Sequence, residues 1–259
     1  MTQPKNRIFV VGDTFAGTAA QFDNIMTETD ALDHVLSNPN PKQQTMFLVQ
    51  QGVDYRSIDS AVRSLTKDTT SNGFYVVSPS QCGARATKRF AHKARSENIV
   101  ISMPRQLDDR RFEMDLCFSS QNEFFLDHMT GMHIQGMALI EAGRQAFLAV
   151  TEAFFLNGDS KSYYFVTKSM DTSFQNFVFP FDATLVYEVT KVRQKGTYLG
   201  IEATITVEQG GVSCATIEVA FTAFEADKIA TKEREVAQVC LDALSASYDA
   251  RTRSLEHVA

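Results

Sequence analysis

The chain has 259 residues, 44% of them apolar and 22% charged, with a formal net charge of −6. That length accommodates one to two domains, each able to bury a core. The composition excludes a disordered chain, and the acidic balance argues against a broad nucleic-acid-binding surface.

Cysteines 82, 117, 214 and 240 form no CxxC pair and no cluster with histidine. A zinc site is therefore not expected, and scattered reduced thiols suit a cytoplasmic location. The segment Met1–Arg7 is polar and lacks the apolar core of a signal peptide. No apolar run approaches the roughly 20 residues of a membrane span, so no membrane association is expected. Phenylalanine is abundant, and its plain reading is core packing.

Residues 7–13 read as a short buried strand ending in a turn. Residues 19–37 place Phe22, Ile25, Met26, Leu32, Val35 and Leu36 at helical spacing, and Asn38-Pro39 stops that helix. Met46–Val49 predicts a strand, Ile58, Val62 and Leu65 a second helix, and Gly73–Val77 a third strand. This order predicts a small α/β unit (βαβαβ, residues 1–85) with parallel strands. The basic stretch 80–97 reads as a solvated linker.

From Asn98 the pattern changes. Ile99–Ile101 and Phe112–Phe118 predict strands, and a long apolar helix follows over about 135–155. Long alternating strands are expected at 163–168, 183–193, 198–208 and 213–224, with hairpin turns at Gln194-Lys195-Gly196 and Gln209-Gly210-Gly211. The expected class is α+β: an antiparallel sheet around a central helix over 86–226. A polar helix and tail over 227–259 complete the chain.

The central helix carries the chemistry. It is apolar on most sides, as a buried helix is, yet it contains Glu141, Arg144 and Gln145. Glu141 and Arg144 are three apart and share a face. A buried ion pair stitching helix to sheet is one reading. The other is a carboxylate base beside a guanidinium that grips an anionic group. His128 and His133 precede the helix, and histidine is the residue type suited to proton transfer. Gly131 and Gly136 allow close approach of backbone to a ligand. The free N–H groups at the helix start, near Gln135 and Gly136, are suited to polarising a carbonyl. No metal or cofactor is required by these groups.

The run Asp127-His128, Gly131, His133, Gln135-Gly136-Met137, Glu141-Ala142 and Arg144-Gln145 resembles the hotdog domain of the A-factor biosynthesis (AfsA) proteins, as do His92-Lys93, Asn98–Ser102 and Pro104-Arg105 upstream. The resemblance covers about 90–225. It implies a hotdog fold and transfer of a β-ketoacyl group from a thioester to dihydroxyacetone phosphate in signal or secondary-metabolite biosynthesis. Glu141 would then be the base, Arg144 the phosphate contact and the helix start the oxyanion site.

The same stretch is more distantly similar to β-hydroxyacyl carrier protein dehydratases. There Thr130 and Gln135 replace prolines, and Arg144 is extra. A dehydratase or thioesterase acting on acyl carrier protein or CoA thioesters is thus one alternative, and a non-catalytic acyl-binding module another. AfsA-type proteins usually carry two hotdog repeats and this chain has room for one, so a homodimer is expected.

The loop Gly12-Asp13-Thr14-Phe15-Ala16-Gly17 follows the first strand, where phosphate loops sit. It is neither a GxGxxG nor a Walker sequence, and Thr14 stands where esterases have serine. A structural or docking role is the preferred reading.

Overall fold

The computed structural model describes residues 6–39, 41, 43–65, 73–77, 83–127, 130–156, 163–196 and 198–256. The chain opens with β1 (Asn6–Val11), a 3-10 turn, α1 (Ala16–Ala19), β2 (Ile25–Thr27), α2 (Glu28–Ser37), β3 (Thr45–Val49), α3 (Tyr55–Ser64) and β4 (Phe74–Val77). The four strands are parallel in the order β2-β1-β3-β4. Alternate residues of β1 and β3 are buried against α2 and α3 in a core that includes Val10, Phe47, Val35 and Ile58. Both helices start where a polar side chain satisfies an end N–H: Thr27 accepts from Asp30, and Asp54 from Arg56.

The expected single helix over 19–37 is corrected here. Ile25, Met26 and Thr27 pair instead with Phe9, Val10 and Val11, adding an edge strand ahead of α2. Their apolar spacing also fits a half-buried strand, and the open edge of β1 decided between the two.

The chain continues with α4 (Lys88–Ala91), β5 (Arg105–Gln106), β6 (Arg111–Asp115), α5 (Glu123–Asp127), α6 (Gly136–Val150), β7 (Tyr163–Phe174), β8 (Thr184–Lys195), β9 (Tyr198–Gln209), β10 (Val212–Glu225) and α7 (Ala226–Glu256). Strands β5 to β10 form one antiparallel sheet in the order β5-β6-β8-β9-β10-β7. The expected hairpins form on glycines in the left-handed region: φ is 58° at Gly196, 59° at Gly210 and 81° at Gly211.

Three expectations shift. β7 runs on to Phe174. Ile99–Ile101 makes only an isolated bridge, Ile101 to Leu116. The long helix ends at Val150 and passes into a π-helical turn over Thr151–Phe155. The Thr151 hydroxyl donates to the Phe147 carbonyl at 2.6 Å, at the junction of the two.

α6 lies in the hollow of this sheet. A Cβ on Gly143 would stand 2.6 Å from the Ile217 side chain, so helix and β10 touch directly at that glycine. One turn later Phe147 stacks on Phe221 with ring centroids 4.4 Å apart. An antiparallel sheet wrapped on a long apolar helix, preceded by a small parallel α/β unit, is the α+β hotdog architecture expected from the sequence. Among the described residues no helix is long and apolar enough to cross a membrane.

Phe147 is 1% exposed and holds helix to sheet. Replacing it with alanine removes a buried ring and leaves a cavity, which costs about 3–5 kcal/mol. Urea unfolding of Phe147→Ala is expected to show that loss. A change below about 1 kcal/mol would mean that α6 is not anchored through this ring.

Candidate active site

The face of α6 turned from the sheet carries the charged residues that the sequence singled out. Glu141 accepts from Arg144 through two parallel bonds, Nε to Oε2 at 2.7 Å and Nη2 to Oε1 at 2.9 Å. Gln145 Nε2 donates to the same carboxylate at 2.8 Å, and Lys93 Nζ stands 2.9 Å from Oε1. One carboxylate thus gathers a guanidinium fork, an amide and an ammonium. The side chains of Glu141, Lys93 and Arg144 are 12%, 25% and 34% exposed, so the carboxylate is the most buried of the three.

Electrostatics follow from that arrangement. Burial alone pushes the Glu141 carboxyl up, because desolvation penalises its charged form. The bonds and charge of Arg144, the Gln145 amide and Lys93 outweigh it, and hold Glu141 below the ordinary carboxylate range. Glu141 is therefore ionised at neutral pH.

Gln145 is fully buried. Its second donor goes to the Asn98 carbonyl at 2.8 Å, and its carbonyl accepts from Val100 N–H at 3.0 Å. It fastens the strand-like segment before β5 to α6 while steadying Glu141. Arg144 Nη2 also reaches the Ala91 carbonyl at 3.4 Å. Its Nη1 makes no hydrogen bond to a described residue.

The approach loop is built on backbone constraints. Gly131 has φ 73°, which favours glycine. The Thr130 hydroxyl accepts from His133 N–H at 3.1 Å and donates to the His133 carbonyl. The His133 ring packs on Phe177, centroids 4.6 Å apart. His133 and Glu141 thus have separate partners, and His128 lies outside the described residues. Gln135 precedes the first helical residue in extended conformation (φ −67°, ψ 149°) and donates to the Phe124 carbonyl at 2.5 Å. Gly136 sits beneath Phe174 of β7, where a Cβ would come within 2.7 Å of the ring.

The segment expected to be a solvated linker supplies part of the site, which corrects that reading. Besides Lys93 on Glu141, His92 Nε2 lies 2.6 Å from Glu152 in the π-helical turn, and Arg89 Nε lies 3.7 Å from the same carboxylate. His92 adopts φ 50° at the end of α4, and its ring meets Phe165 edge-on at 5.3 Å. Basic density alone does not separate a free lysine from one bound to a buried acid. The local signal was the His92-Lys93 pair shared with the resembling family.

A family model described as AfsA, the A-factor biosynthesis hotdog domain, matches residues 77–225. No curated protein matches the chain. Among solved structures, a mutant thioesterase from Pseudomonas aeruginosa is 15% identical; the alignment covers 48% of this chain and 81% of that one, at a TM-score of 0.35. A conserved protein of the same organism is 20% identical over 54% of this chain and 100% of its own, at 0.38. The PaaI protein of E. coli, from the phenylacetic acid degradation operon, is 14% identical over 47% and 80%, at 0.32.

The balance at Glu141 is open to direct measurement. Removing the Lys93 ammonium leaves burial opposed by fewer partners, so Lys93→Met is expected to raise the Glu141 pKa. In the wild-type protein the lowered pKa contributes stability that is present above the ordinary carboxylate range. That contribution is lost as pH falls through the folded-state value. NMR titration of the Glu141 carboxyl carbon reads the shift. An unchanged or lower pKa in Lys93→Met would show that the ammonium does not hold the carboxylate.

Proposed function

The chain belongs to the A-factor biosynthesis hotdog-domain family, and from that premise we propose that it is an enzyme acting on acyl thioesters, transferring an acyl group to a small phosphorylated or anionic acceptor. The observation that carries this reading is the partly buried cluster on α6. An ionised carboxylate lies beneath two cations, one of which keeps a guanidinium nitrogen without a described protein partner. A purely structural ion pair has no need of a second, more exposed cation.

In this reading the acceptor's anionic group meets Arg144 Nη1 and Lys93. Their engagement draws charge from Glu141 and desolvates it, which raises its basicity. Glu141 then takes the proton of the attacking hydroxyl as its oxygen bonds to the thioester carbonyl carbon. The N–H groups at the start of α6, after Gln135, face the developing oxyanion. The carbon–sulfur bond breaks, and the departing sulfur takes up the proton to leave as the thiol. Gln145 acts through Glu141 by fixing its orientation, and Gly131, open on its Cβ side, lets backbone and ligand approach closely, whereas the corresponding space at Gly136 is taken by Phe174. His128 and His133 are assigned to proton transfer. The donor is an acyl-CoA or acyl carrier protein thioester.

β7 forms one edge of the sheet and is exposed along most of its length. Pairing with a second copy along that edge completes the reading as a homodimer, with twice the chain mass on light scattering. The setting is cytoplasmic signal or secondary-metabolite synthesis.

The decisive experiment incubates the protein with β-ketoacyl thioesters, with and without a triose phosphate, and follows both thiol release and ester formation. Ester that forms only with the phosphate present is the expected result. Thiol release without acceptor would identify a thioesterase, loss of water from a hydroxyacyl thioester a dehydratase, and tight binding without turnover a non-catalytic module. Glu141→Gln is expected to lower kcat by about 10²–10⁴-fold with the fold retained. Arg144→Lys should raise KM for the anionic acceptor by about tenfold or more, because a point charge replaces a fork. Wild-type kinetics in either variant would remove that residue from its role.

A further inference from the structure

In open sheets that contain parallel strands ordered β2-β1-β3, ligands are taken in the crevice at the carboxyl ends of β1 and β3, where the chain departs to opposite sides. The loop Gly12–Gly17 lies there, and the protein fills that crevice with its own chain. Gly12 N–H donates to the Gln51 carbonyl at 3.0 Å, and a Cβ on Gly12 would stand 2.5 Å from the Gly52 oxygen. Gln51 N–H donates to the Pro180 carbonyl and Gly52 N–H to the Phe118 carbonyl, both at 3.2 Å. The Gln51 side chain is buried, donating to the Leu116 carbonyl and accepting from Phe118 N–H, each at 2.8 Å. Phe15 meets Phe125 edge-on at 5.0 Å. The Asp13 carboxylate is committed to Thr29, accepting from its N–H at 2.9 Å and its hydroxyl at 2.8 Å.

Beyond this seam the unit reaches the approach loop itself. Thr18 is 1% exposed. Its N–H donates to the Gly131 carbonyl at 3.0 Å and its hydroxyl to the Met132 carbonyl at 2.5 Å. The neighbouring Gly17 lies so close that a Cβ there would stand 2.7 Å from the Gly131 oxygen. Two successive peptide planes are thereby oriented just ahead of the first residue of α6. Downstream the same loop is held by Ile134 N–H on the Val178 carbonyl at 2.8 Å and by Gln135 on Phe124.

We propose that the N-terminal α/β unit is a positioning element for the loop that delivers the start of α6, with Thr18 and Gly17 as its contact residues. The unit does not bind a ligand of its own at the β1–β3 crevice; it uses that crevice as a socket for the hotdog. Thr18 is a positioning residue, acting on the loop histidine and the α6 N–H groups through the peptides that it grips. The consequence for catalysis rests on the acyl-thioester reading above; the consequence for loop order does not.

The test compares Thr18→Val, which removes the hydroxyl donor at nearly constant volume, with Thr18→Ser, which keeps it. Hydrogen exchange of the Thr130–Gln135 amides is expected to quicken about tenfold in Thr18→Val, as loss of one hydrogen bond allows. It should stay near wild type in Thr18→Ser, and exchange in β8–β10 should be unchanged in both. Gly17→Ala is expected to loosen the same amides. With an acyl thioester, kcat should fall in Thr18→Val while KM holds, and serine should restore it. Unchanged loop exchange in Thr18→Val and Gly17→Ala overturns the proposal, as does acceleration spread evenly over the sheet. A loosened loop with unchanged kcat overturns it too, since the loop's position would then not matter to the chemistry. If wild-type protein turns over no thioester at all, the acyl reading fails, and the exchange result alone decides whether the socket holds the loop.

Discussion

A single carboxylate on an otherwise greasy helix sets the terms for this structure. Glu141 is mostly buried, and a carboxylate in that position either loses its charge or is surrounded by donors. The protein takes the second course with Arg144, Gln145 and Lys93. Each partner binds another part of the chain to α6. Gln145 fastens Asn98 and Val100, Arg144 touches the Ala91 carbonyl, and Lys93 fixes the segment after α4. The charge at the centre is thus also what brings α4 and the strand-like segment 98–102 against the helix.

The rest of the fold serves to hold that helix still. On the sheet side, Gly143 and Phe147 permit contact without a polar atom between α6 and β10. At the helix start, Phe174 covers Gly136, so the edge strand bears directly on the first residue of α6. The core continues past the hotdog, for Val11, Phe15 and Ile25 of the N-terminal unit belong to the same buried cluster as Phe118, Phe125 and α6. The two units share an interior and, between segments outside their strands, backbone hydrogen bonds, which is why a small parallel unit can influence a loop that belongs to the other.

Much of this was legible in the sequence, for identifiable reasons. The long strands declare themselves because a two-residue alternation over twelve residues has few competing explanations. The glycine turns fix their register. Glu141, Arg144 and Gln145 stood out because charge inside an apolar helix is anomalous, and their mutual contacts follow from spacings of three and four. β2 was hidden because Ile25 and Met26 fit two periods at once, and only the edge offered by β1 decides between them. Lys93 was hidden for another reason. Its partner lies far along the chain, and a lysine among five other basic residues carries no mark of being bound. The seam through Gln51 and Thr18 is likewise made of backbone carbonyls, which leave no residue-type signature in the partner segment.

The strand order also bears on how the polypeptide emerges from the ribosome. β7 pairs with β10 and with no other strand of the sheet, and the two are separated by about 40 residues that form β8 and β9. At roughly 5–20 residues per second, β7 waits several seconds for its partner, with the apolar face of α6 uncovered beside it. The parallel unit, complete much earlier, can present its socket to the nascent loop during that interval. Translation speed across β8 and β9 thereby becomes a determinant of yield, and slow codons placed there would prolong the time in which an unpaired strand can meet another chain.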